Sequence, residues 1–176
     1  MTAATLFPSL LGVEFSALDS CLRWMHSGEA RQSRGCVTVK RGRSVVAKVI
    51  GVLASLPSAM TDAPIEVRIE VTEKGETWTR LFANHHLLVS TLKSDRGLLV
   101  ERLGPVVVKF RLLVRDGTLE WVLEHIAAFG IALPLSWSRI SATIDSHDGR
   151  YHFLVDSEPL GIGRIVRYEG LLDAAA

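Results

Sequence analysis

Residues 95–125 read DRGLLVERLGPVVVKFRLLVRDGTLEWVLEH, and the phasing of this stretch decides the fold. Asp95-Arg96-Gly97, Gly104-Pro105 and Asp116-Gly117 bring Gly or Pro to three points where the backbone must reverse. Asp-Gly is among the strongest short hairpin signals. Between these points the residues alternate. Val108, Phe110, Leu112 and Val114 fall on one face, and Lys109, Arg111 and Arg115 on the other. Leu119, Trp121 and Leu123 continue the apolar face, opposite Glu120 and Glu124. A meander with one wet face and one apolar face has to close or be covered, because open strand edges invite aggregation. The fold predicted is therefore mainly β (α+β), an antiparallel meander of about 8–10 strands closing into a barrel or strongly curved sheet.

The same alternation extends in both directions. Upstream, Ile65, Val67, Ile69 and Val71 oppose Glu66, Arg68, Glu70 and Thr72, and Lys74-Gly75 turns the chain into strands over 77–82 and 84–92. Downstream, strands are expected over 139–146, 150–156 and 164–169, with Asp148-Gly149 as a further hairpin turn. Phe129 to Pro134 breaks the pattern and reads as a loop, or a short helix running into Trp137.

Before Pro64 the period is helical. Leu10, Leu11, Phe15, Leu18, Leu22 and Met25 recur at three- and four-residue spacing as one helix, which Gly28 stops. Gly35 to Lys40 alternates as a first strand, and Ser44 is placed to cap a second helix ending before Pro57. That second helix, Val45 to Leu56, is apolar nearly all round, which reads as a core helix under the sheet. A lid over the barrel mouth, or an interfacial segment whose Lys40, Arg41, Arg43 and Lys48 meet lipid headgroups, is the alternative. The organisation expected is a single domain, 1–176, with a helix–strand–helix segment (1–60) packing on an antiparallel meander (64–170). Ala174–Ala176 is expected to fray.

Composition bounds the function classes. A net charge of +1 gives no global attraction to nucleic acid. Lys and Arg are dispersed among balancing acids, without an aromatic stacking platform. Hydrophobic content of 48% and a mean hydropathy of +0.25 are rich, yet no run approaches the roughly 20 apolar residues of a membrane span. The N-terminal residues lack the basic start and apolar core of a secretory signal. Cys21 and Cys36 are expected to be two reduced thiols of a cytoplasmic protein.

Five phrases carry a family resemblance: Gly97–Pro105 (GLLVERLGP), Asp116–Trp121 (DGTLEW), Phe129–Pro134 (FGIALP), Asp148–Phe153 (DGRYHF) and Leu160–Gly170 (LGIGRIVRYEG). Together they resemble the bacterial domain-of-unknown-function family numbered 4166. The N-terminal Pro-Ser-Leu-Leu-Gly opening, the Leu-Arg-x-Met-His helix and the Arg-Gly-x-x-x-Val-x-Arg-Gly step are compatible with it. Members of that family occur alone or joined to a Rossmann-type oxidoreductase domain. The resemblance thus implies small-molecule or lipid metabolism, and, with no Rossmann fingerprint in this chain, a possible separate oxidoreductase partner. It supplies no catalytic residues. After the Leu-Pro step this chain has Leu135-Ser136-Trp137 where members of the family usually carry a basic residue.

Candidate chemistry is sparse. His85 and His86 are adjacent on a strand and point to opposite faces, so they cannot share one metal. No metal or cofactor site is expected. His125 follows Leu119, Trp121 and Leu123 at inward phase, where it would be a general base or a polar anchor, or else a core histidine bonded to a carbonyl. Glu101 and Arg102 leave their strand in opposite directions, as do Arg167 and Tyr168. Whichever points inward needs a partner or meets a ligand. The predicted site therefore has His125 and Glu101 as acid–base residues and Arg102, Arg167, Tyr168 and Trp121 as ligand contacts. Ser90 and Ala142, small and at inward phase, leave room for a cavity. The function expected is binding, or cofactor-independent isomerase or cyclase chemistry, of a hydrophobic small molecule inside the barrel. The rival is an accessory domain docking on a separate oxidoreductase or a membrane surface.

Overall fold

Period-two alternation builds the wall. The computed structural model describes residues 5–173; Ala174–Ala176, expected to fray, lie outside them. The strands are β1 (Arg31–Arg41), β2 (Met60–Thr72), β3 (Gly75–Phe82), β4 (His86–Asp95), β5 (Leu98–Leu103), β6 (Val106–Arg115), β7 (Thr118–Ala128), β8 (Ile131–Ala132), β9 (Ile140–His147), β10 (Arg150–Ser157) and β11 (Val166–Leu172). All pairings are antiparallel. β1 to β7 pair in sequence, β7 passes to β9, then β10 and β11, and β11 returns to β1. The result is a closed ten-strand barrel, with β8 as an outer strand on the far end of β7. Closure leaves almost no free edge.

The helices differ from expectation in instructive ways. The single N-terminal helix is broken into α1 (Leu6–Leu11), a 3-10 stretch (Gly12–Ala17) and α2 (Ser20–Met25). Gly12 takes a positive φ of 56° and Leu18 is extended, so two bends replace a straight rod. The bends fold the segment into the barrel end, where Phe7, Leu22, Met25 and His26 are sealed from solvent. β1 is longer than the alternation of 35–40 suggested. It is a wall strand, paired to β2 and β11, rather than part of a segment packed outside the barrel.

α3 (Val45–Leu53) begins as predicted, with the Ser44 hydroxyl accepting from the Ala47 amide at 3.1 Å. It is not a core helix under the sheet. Ala47 and Gly51 are its buried residues, and most of its valines face solvent. The Arg41 guanidinium occupies the space beside Gly51 that a Cβ would take.

The two barrel ends differ. At one, Arg96-Gly97, Asp116-Gly117 and Asp148-Gly149 each place both residues at positive φ, the turn geometry that matches strand twist. At the other lie the long connections, 42–59 with α3, 129–139, and 158–165. The core runs along the axis between them, from Phe7, Trp78 and Leu119 at the closed end to Ile65 and Val166 nearer the open one.

Candidate functional site: an apolar barrel cavity

Inside the wall lies a cavity of about 540 Å³, within the usual range for small-molecule sites. Trp78, Phe110, Trp121, Tyr151 and Phe153 line it without filling it. Ala142, at inward phase on β9, contributes free space, as its size suggested. α3 (through Ile50 and Ala54), Leu133, Pro134, Trp137, Pro159 and Ile162 form the mouth.

The polar inventory is short. Arg80 and Glu101 are the charged residues lining the cavity among the described residues, and they face each other with Nη2 at 3.3 Å from Oε1. Arg80 also donates from Nη1 to the Ser90 hydroxyl at 2.9 Å and lies over the Trp78 ring, 5.2 Å from its centroid. A buried charge is tolerable only with such partners. Tyr168 projects inward between Phe82 and Phe153, and its hydroxyl has no protein partner among the described residues. Burial pushes its pKa up to about 12, so it remains a neutral donor. Trp121 lines the wall with its indole N–H likewise unpartnered.

Beneath the cavity floor is a second polar group. Tyr151 Oη and His26 Nε2 are 3.0 Å apart, and the His26 ring is wedged between Phe7 and Trp78. Burial lowers the His26 pKa to about 3, so the ring is neutral, and burial pushes the Tyr151 phenol up. Glu76, alongside, accepts from the Trp78 indole at 2.8 Å while burial raises its carboxyl.

A family model described as a domain of unknown function, DUF4166, matches residues 18–172, from just before α2, within the N-terminal segment that plugs the barrel end, through β11. The chain belongs to the DUF4166 family. The matched region contains the whole wall, both polar groups and the mouth. Among solved structures, this DUF4166 chain is similar to the crystal structure of Rv2717c from M. tuberculosis. The two are 13% identical with a TM-score of 0.47, over 90% of this chain and 99% of that one. No curated protein matches the chain.

In this DUF4166 barrel the residues singled out from the sequence divide cleanly. Glu101, Trp121 and Tyr168 line the cavity. Arg102 is exposed on the outer face, and Arg167 is outside too, paired with Asp156 and Glu169 at 3.5 Å each. His125 is displaced from its expected inward phase. β7 carries one extra residue at Leu123-Glu124, so Phe110 faces Leu123 but Lys109 faces His125 and Val108 faces Ile126. This bulge shifts the alternation by one, sending Ile126 inward and His125 outward. His85 and His86 each meet a backbone carbonyl, of Ala83 and Ser55, at 2.8 Å.

Arg80, Glu76 and His26 were not singled out from the sequence, although each had a legible signal. Trp78 and Phe82 fix the inward phase of β3, and Glu76 and Arg80 share it. His26 follows Leu22 at a helical step of four, on the plug's buried face.

Proposed function

We propose that this protein binds a neutral hydrophobic small molecule inside its barrel. The observation that carries the reading is the cavity, apolar over nearly all its lining and closed at one end. Neutrality follows from the charge pairing. Arg80 is matched by Glu101, so a ligand carboxylate would have to displace an existing partner, whereas a carbonyl or ester oxygen needs only a donor. Tyr168 offers that donor. An apolar body with one or two acceptor oxygens is the chemistry that fits. The catalytic alternative of an isomerase or cyclase has less support, because His125 lies outside the cavity and Glu101 is engaged by Arg80.

Native mass spectrometry of the purified protein should show a co-purifying neutral ligand, and the neutral dye Nile red should bind saturably. Ala142→Trp, which takes up part of the cavity, should weaken dye binding. Tyr168→Phe should weaken it about fivefold, the worth of one hydrogen bond. Arg80→Met should cost about 3 kcal/mol of stability by stranding Glu101, and Arg80→Met/Glu101→Leu should recover most of it. Dye binding unchanged by Ala142→Trp would overturn the reading.

A further inference from the structure

The open end exposes the large apolar side chains that a barrel ordinarily hides. On α3, Val45, Val49 and Val52 are 75, 52 and 78% exposed, while the residues turned to the barrel are Ala47, Gly51, Ala54 and the half-buried Ile50. An amphipathic helix buries its large residues and shows its polar ones; α3 buries its small residues and shows its valines. The 129–137 stretch adds Phe129 at 65%, Ile131 at 69% and Trp137 at 64%. Leu160 is exposed on the third connection.

These three segments form one surface. The Ser44 hydroxyl at the start of α3 donates to the Ile162 carbonyl at 3.0 Å, and the Leu160 amide donates to the Trp137 carbonyl at 2.8 Å. The collar they make rings the cavity mouth, since each segment also contributes lining residues. Its charge leans positive: the third connection carries one acid, Glu158, and Arg164 pairs with it at 2.9 Å. Residues 43–61 and 126–144 contain no Asp or Glu but carry Arg43, Lys48 and Arg139. All three cations are exposed, and none has an acidic partner among the described residues. On the outer wall several cations meet acids, as in Lys109–Asp95 and Arg111–Glu124, while Lys40, Lys93 and Arg102 are as unpaired among the described residues as those of the collar.

We propose that this collar seats on the surface of an anionic lipid bilayer, with the barrel mouth facing the acyl chains. The valines, Phe129 and Trp137 enter the headgroup–acyl boundary, where aromatic rings are favoured, and the three unpaired cations meet lipid phosphates. A second copy of the chain fits less well, because a two-fold contact would bring the same three cations together. Passage of a ligand between bilayer and barrel rests on the cavity reading above; the seating does not.

The test is flotation of the whole protein with vesicles of phosphatidylcholine alone or with roughly one third phosphatidylglycerol. Binding to the anionic vesicles, weakened by salt, is expected. Val49→Asp/Val52→Asp should reduce partitioning at least about tenfold, and Lys48→Glu/Arg139→Glu by a similar factor. Brominated lipid should quench tryptophan emission in the native protein and much less in Trp137→Phe. None of Val49, Val52, Lys48 or Arg139 lines the cavity, so Nile red binding without vesicles should persist in both charge variants. Loss of dye binding with seating intact would sink the cavity reading alone. Absence of flotation on either vesicle, or equal flotation of the Val49→Asp/Val52→Asp protein, would overturn the seating. So would a dimer in sedimentation that this variant dissolves without any vesicle binding.

Discussion

At the closed end of the barrel, tight turns such as Asp116-Gly117 join the strands and Phe7, Leu22 and His26 fill the opening. At the other, long connections leave valines, Phe129 and Trp137 in water. Both ends are rich in apolar residues, so composition does not distinguish them. What differs is whether those residues have a protein partner. Stability is concentrated where the plug meets the wall, and the open end is free to answer to something outside the molecule.

That contrast makes quantitative demands. The largest effect should come from pH. The unfolded chain takes up a proton at His26 near pH 6.5, whereas the folded one resists until about 3. The His26 contribution is therefore complete above 6.5 and is lost as pH falls through that window, by up to about 5 kcal/mol. Glu76, whose carboxyl is raised by burial, acts in the opposite direction. Comparing denaturant melts of the native protein and His26→Phe across this range isolates the histidine, and the variant should show a much flatter dependence. Next, Phe7→Ala should cost about 4 kcal/mol, as fully buried aromatic truncations do. At the open end Val52→Ser should change stability by no more than about 0.5 kcal/mol. A large loss there, or a small one at Phe7, would break the division between the ends.

The wall was legible because its signals are local. Asp116-Gly117 and Asp148-Gly149 state the turns outright, and the alternation of Val108, Phe110 and Leu112 states the inner face. The bulge in β7 is a different matter. Nothing at Leu123-Glu124 marks it, since neither Gly nor Pro is present and the extra residue is visible only in the pairing with β6. One unmarked residue moved His125 from the inside to the outside. β11 was ambiguous for another reason: Val166 to Gly170 mixes apolar, charged and small residues on both faces, and only pairing with Val39 and Val155 settles Tyr168 inward. The valines of α3 suggest a buried helix, yet they face solvent. Its packing is decided by Ala47, Gly51 and Ala54, which permit a close approach that larger residues would block.

The return of β11 to β1 has a consequence in time. Val39 and Tyr168 are wall neighbours, as are Gly35 and Leu172, although more than a hundred residues of chain separate them. As the chain is synthesised, β1 can pair with β2 early, but its other edge stays unclaimed until β11 has emerged. Throughout that interval the growing sheet is an open ribbon with an apolar inner face, and closing it brings together segments of very high sequence separation. Such a chain folds slowly and is most exposed to edge-to-edge aggregation just before completion. Ser33, whose hydroxyl donates to the Asp173 carbonyl at 2.5 Å, and Arg34, whose carbonyl accepts from the Asp173 amide at 2.8 Å, fasten the seam once it has formed. A release of nascent chain short of Val166 would leave β1 and β10 each with a bare edge, and the barrel would be a sheet.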